Sequence, residues 1–226
     1  DAHGAAKEWA NLLEPARLLG NSQAQAAVLN SLGLAYRSLG EHRHAIKCYE
    51  EAQAVTREDS RPDHKAECDC LVNLGTTYVD LGDYKTAITY LQEGLQISTQ
   101  MGDRLGESRA LGGLGAAYSS TGDYRKAIEC HSKSLLICQV IGDRPSEAAC
   151  LHGLGLAHFS LGEYKQAATH HDASLSAYRG IGDQEGEGNA LGNLGLSYIH
   201  LGEYKKAIAI HEEALAIHRE TKDPHG

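Results

Sequence analysis

Residues 110–128 read ALGGLGAAYSSTGDYRKAI, and residues 190–208 read ALGNLGLSYIHLGEYKKAI. The shared frame runs along the chain. Leu-Gly recurs at Leu32-Gly33, Leu74-Gly75, Leu114-Gly115, Leu154-Gly155 and Leu194-Gly195, in steps of 42, 40, 40 and 40 residues. Three residues after each glycine stand Tyr36, Tyr78, Tyr118, His158 and Tyr198, and seven residues after it a second glycine, Gly40, Gly82, Gly122, Gly162 and Gly202. Then come His42 or a tyrosine (Tyr84, Tyr124, Tyr164, Tyr204), and three further on Ala45, Ala87, Ala127, Ala167 and Ala207. A fixed period of this length marks a repeat architecture.

Each unit reads as two helices. In the third, Leu111, Leu114 and Tyr118 lie at i, i+3 and i+7, one face of a helix. Gly122 suits a left-handed stop, and Asp123 is a natural N-cap for a second helix that runs through Ala127, Ile128, Leu135 and Ile137 to Gly142. Pro145 falls just inside the next start, where a missing N–H costs little. A short turn makes the two helices an antiparallel hairpin. One hairpin cannot bury its own apolar face, so hairpins stack into a solenoid.

Composition fits this reading. Of the 25 glycines, 14 fall in three recurrent columns, and 8 of the 11 tyrosines fall in two. The 226 residues are 42% hydrophobic with a net charge of −9, enough apolar matter to fold and too acidic for nucleic acid as the main partner. No stretch reaches the ~18–20 apolar residues of a membrane span, and the residues given, from Asp1 on, do not read as a secretory signal. Cys48, Cys68, Cys70, Cys130, Cys138 and Cys150 form no C-x-x-C pair and read as reduced thiols on helices, which predicts a cytoplasmic protein.

Leu111-x₂-Leu114-Gly115-x₂-Tyr118 followed by Ala127-x₃-His131 resembles the tetratricopeptide pattern, with Leu in place of Trp and His in place of Phe. The 40-residue period is similar to the long-repeat subclass that includes LGN/Pins spindle-orientation adaptors and rapsyn. The resemblance implies an all-α fold, a right-handed α-solenoid of stacked antiparallel hairpins. The predicted units are a partial repeat (second helix) at 1–25 and five repeats at 26–67, 68–107, 108–147, 148–187 and 188–226. Pro15 should kink or shorten the helix of the partial repeat. The chain closes at Asp223-Pro224 with no polar capping helix, which suggests a piece of a longer protein.

By the same resemblance, first helices line a concave groove. First-helix columns that vary between repeats are therefore the candidates for binding: Asn30, Arg37, Asn73, Thr76, Arg109, His152, Leu156, Phe159, Asn189, Asn193, Leu196 and Ile199. The charged members of the stripe, Arg37, Asp69, Asp80 and Arg109, balance, and no Lys is among them. That argues against the several-Lys clamp with which some tetratricopeptide domains grip a C-terminal carboxylate. Asn amides can pair with a peptide backbone, and Leu156, Phe159, Leu196 and Ile199 offer apolar purchase. Seven further glycines (106, 112, 113, 153, 186, 188, 192), in or just before the first halves of first helices, suggest a smooth inner wall open to a partner's backbone.

No metal site is expected. His131, His171 and His211 share one column, but stacked helices lie ~8–10 Å apart and zinc ligands stand ~2.1 Å from the ion. His64, Cys68 and Cys70 diverge around a helix, and His211-Glu212 lacks the second His of a zinc-protease motif, having Leu215 in its place. Neither a phosphate-binding glycine loop nor a Ser-His-acid grouping appears, so no enzyme activity and no cofactor are expected. The predicted function is a scaffold that binds a protein or peptide partner in the groove. The alternative is a regulatory or self-assembly module of a larger multidomain signalling protein, associating through open solenoid ends.

Overall fold

The computed structural model describes residues 2–58 and 63–222. They form eleven helices: α1 (Ala2–Leu18), α2 (Ser22–Ser38), α3 (His42–Glu58), α4 (His64–Asp80), α5 (Tyr84–Met101), α6 (Arg104–Ser120), α7 (Tyr124–Ile141), α8 (Arg144–Ser160), α9 (Tyr164–Ile181), α10 (Gln184–His200) and α11 (Tyr204–Lys222). No strand occurs among the described residues. The fold is an all-α solenoid of helix hairpins. First helices begin at 22, 64, 104, 144 and 184, four residues before the repeat starts predicted from the sequence columns. Asp223-Pro224 lies outside the described residues.

The turns follow from the residues that occupy them. Asn21, Asp63, Asp83, Asp123, Asp143 and Asp183 each accept the backbone N–H three residues on, which satisfies one of the orphan donors of a helix start. Pro145 sits in the first turn of α8, as its position predicts. The glycines of two columns and Gly20 carry every positive φ among the described residues, between 60° and 82°, and a side chain would be strained there. Pro15 lies inside α1 without shortening it: the helix runs on to Leu18, and Leu19 N–H donates to the Pro15 carbonyl at 3.1 Å. Pro15 is exposed, so the Asn11 carbonyl it cannot serve faces the solvent side.

The helices group into two compact units, one ending at Ala117 and one beginning at Tyr118, with the break inside α6. In unit 1 each helix from α1 to α5 packs on the next, and α2 also meets α4. Its core is layered: Ala6, Leu32 and Ala35 under Trp9; Ala26, Leu29, Ala52 and Cys70; then Ala45, Ile46, Tyr49 and Leu74. In unit 2 the same pattern joins α7 through α11, and α8 also meets α10. Its core centres on Ala168, Leu175, Ala190, Leu191 and Leu194.

The Leu-Gly column has a packing cause. A Cβ on Gly33, Gly75, Gly155 or Gly195 would stand 2.4–2.5 Å from Tyr49, Leu91, His171 or His211 respectively. Each of these first helices thus offers a hole, and the second helix of its hairpin fills it with a large side chain four residues past the recurrent alanine. Second helices are tied across repeats by ion pairs of the form Arg17–Glu51 (2.5 Å), Arg57–Glu93 (3.3 Å) and Arg179–Glu213 (2.5 Å). The six cysteines are free thiols, four of them buried. Burial pushes Cys70 and Cys150 up to about 12 and Cys48 up to about 11, which keeps them protonated and unreactive.

Candidate functional site on the first helices

The two units treat the varying stripe differently. In unit 1 its polar members hold each other. Asn73 is 1% exposed, and its amide donates to Asn30 Oδ1 at 2.8 Å and accepts from Arg109 Nη2 at 2.7 Å. Arg109 Nη1 meets Asp69 at 3.0 Å, and Arg37 Nε meets Asp80 at 2.6 Å. Thr76 turns its hydroxyl back onto the Val72 and Asn73 carbonyls of its own helix. These residues vary along the columns, and the variation encodes cross-repeat pairing: Arg37 of α2 and Arg109 of α6 are each answered by an Asp of α4, the first helix between them. Leu34, 43% exposed on α2, is the apolar member.

In unit 2 the stripe carries no formal charge at its inward columns. Leu156 on α8 and Leu196 and Ile199 on α10 are 40–43% exposed. Phe159 is half-buried in a ring cluster that ties α8 to α10, with its centroid 5.1 Å from His200 and 5.3 Å from Tyr164. Tyr164 and His200 stack at 4.3 Å. The sequence columns assign Tyr164 to packing and pass over this cluster; the one signal for it was aromatic character at 159, 164 and 200 together. Asn189 is exposed and Asn193 half-buried, its carbonyl accepting from Ser197. His152 lies beneath the stripe, its ring 5.5 Å from His171 and 6.4 Å from Tyr178.

The glycine wall needs correction. A Cβ at Gly106, Gly113, Gly153 or Gly186 would stand 2.4–2.8 Å from Asp103, Leu91, His131 or Tyr178. These four glycines admit the chain's own side chains. Gly188 and Gly192 have nothing within 4 Å, and both lie on α10.

No group of three or more His, Cys, Asp or Glu side chains among the described residues could hold a metal ion. Cys68 donates to the Gly94 carbonyl at 3.4 Å, and His64 lies beside Glu67. No described helix is long and apolar enough to cross a membrane.

Stacked helix hairpins with a surface stripe define a repeat solenoid. The tetratricopeptide-repeat family profile matches residues 16–100 and 106–180, and a second profile of the same description matches residues 188–221. The chain belongs to the tetratricopeptide-repeat family, whose members are in general protein-interaction scaffolds. Among solved structures it is similar to BtubC (BKLC) from P. vanneervenii, with a TM-score of 0.82 and 19% identity over all of this chain and 91% of that one. It is also similar to a Rap protein complexed with Competence and Sporulation Factor (0.76, 16% identity, 95% of this chain and 60% of that one). A third likeness is to a signal transduction ATPase with a tetratricopeptide repeat sensor from Pyrococcus horikoshii (0.75, 21%, 91% of this chain and 32% of that one). At these identities the likeness is one of fold. Among curated protein sequences none matches the chain.

Proposed function

We propose that this protein is a non-catalytic scaffold that holds a peptide or helix of a partner protein in a groove along its first helices, with the apolar anchors in unit 2. One observation carries the reading. The polar stripe of unit 1 is committed to its own cross-repeat bonds, whereas Leu156, Leu196 and Ile199 stay 40–43% exposed on packed neighbouring helices. Aliphatic side chains held on a rigid helical face can seat a partner's side chains, and each well-packed contact contributes about 1 kcal/mol or more. Asn189, Asn193 and the open backbone at Gly188 and Gly192 then offer polar contacts and close approach beside the anchors. A cytoplasmic adaptor role of the long-repeat subclass fits this surface.

The test is a peptide-display selection against the whole chain, followed by affinity measurements on the selected peptides. The triple variant Leu156→Ala, Leu196→Ala, Ile199→Ala should weaken binding by about 100-fold, and Leu136→Ala on α7 should not. Unchanged affinity in the triple variant sinks the assignment to unit 2. A second reading, a sensor or assembly module within a longer signalling protein, draws on the Pyrococcus horikoshii ATPase, of which the chain spans 32%. It predicts concentration-dependent light scattering without any partner, where a recruitment module stays monomeric.

A further inference from the structure

Three histidines of unit 2 have buried ring nitrogens that meet no partner: Nδ1 of His131, Nδ1 of His152 and both nitrogens of His171. A neutral imidazole carries one N–H donor and one acceptor, so the fully enclosed His171 leaves both unmet in either tautomer. The rings are fitted closely. Gly153 opposes His131 and Gly155 opposes His171, each with the place of a Cβ only 2.5 Å from a ring atom. His152 bridges the layer, 5.5 Å from His171 and on the helix that also faces His131.

The layer holds no counter-charge. The ionisable groups acting on His171 are His152 of α8 and His170 of its own helix, and the one acting on His131 is His152. Among the described residues no carboxylate forms an ion pair with either ring. The nearest carboxylate that meets a histidine here is Glu163, 2.6 Å from His158 Nδ1, and it is also bonded to Arg125. His158 stacks on His170 at 5.2 Å, at the end of the layer. A proton taken up at His131 or His171 would therefore be an unpaired charge in a closed interior, which is costly.

We propose that this histidine layer makes unit 2 a proton-sensitive element: on acidification it takes up protons by opening the α7–α8–α9 packing, and the stripe on α8 and α10 keeps its shape only while the layer is neutral. The opening stands on the layer alone; its consequence for a partner rests on the function proposed above. Burial, with His152 adding, holds His131 down to about 4 and His171 down to about 3 in the closed form. Because the folded pKa is the lower one, the layer's full stability is present above about pH 6.5 and is lost as pH falls toward the folded values.

Hydrogen exchange of the full chain at pH 7.5 and pH 5.0, corrected for intrinsic rates and without partner, tests this. The open population of α8 and α9 should rise about 30-fold for each histidine that must charge on opening. In α3 and α5, where that column holds Tyr49 and Leu91, it should change far less. The double variant His131→Leu, His171→Leu, which places the residue of position 91 in that column, should lose the share of the acid-induced opening that these two rings carry. Opening of unit 2 no greater than that of unit 1, or unchanged in the double variant, overturns the proposal. If the variant does not fold, imidazole NMR on the unmodified protein decides: His171 titrating near 6.5 with unit 2 still closed also overturns it.

Discussion

At the scale of single residues, glycine and asparagine do two different things in this chain, and contacts separate them. Gly155 receives the His171 ring and Gly192 receives nothing. Gly155→Ala should therefore destabilise by about 1–3 kcal/mol through overpacking, whereas Gly192→Ala should stabilise by up to about 1 kcal/mol through helix propensity. Denaturant melts of the two variants check the contrast. Asn73 is legible in the sequence only as a polar residue in a varying column. The structure buries it between Asn30 and Arg109, so Asn73→Ala should cost about 1–3 kcal/mol by leaving their polar groups unmet. The same melts read it. Residue type alone could not separate a solvated asparagine from this one, because the distinction depends on the helix of the next repeat.

At the scale of elements, the helices, their caps and their stops are local matters and were legible. Asp183 accepts from Gly186 N–H at 2.9 Å, and α10 has three glycines in its first half, so its start depends on that cap. Asp183→Ala should cost about 1 kcal/mol, visible as faster exchange in the first turns of α10 while α8 is unaffected. Position 163 differs from Asp83 and Asp123 of its column. Glu163 makes no side-chain cap bond and turns instead to His158 and Arg125. The longer Glu reaches sideways where Asp reaches its own helix. Pro15 does not shorten α1, which runs on to Leu18, because the rule concerns a lost hydrogen bond and an exposed carbonyl can take a solvent partner instead.

For the molecule as a whole, unit 2 carries the acid-sensitive layer. Falling from pH 7.5 to 5.0, the stability of unit 2 should drop by about 2 kcal/mol for each of His131 and His171, since both bind protons more weakly folded than unfolded. Thermal melts across that range should show unit 2 losing protection first. The 40-residue columns determine the all-α class, the hairpin pairing and the stacking order, because periodicity, caps and left-handed glycines act within a few residues of chain. The division of the stripe into a committed polar half and an uncommitted apolar half was decided only by tertiary structure. Whether Arg109 meets Asp69, 40 residues away, or Gly155 meets the His171 ring across its hairpin, depends on packing that brings distant side chains together.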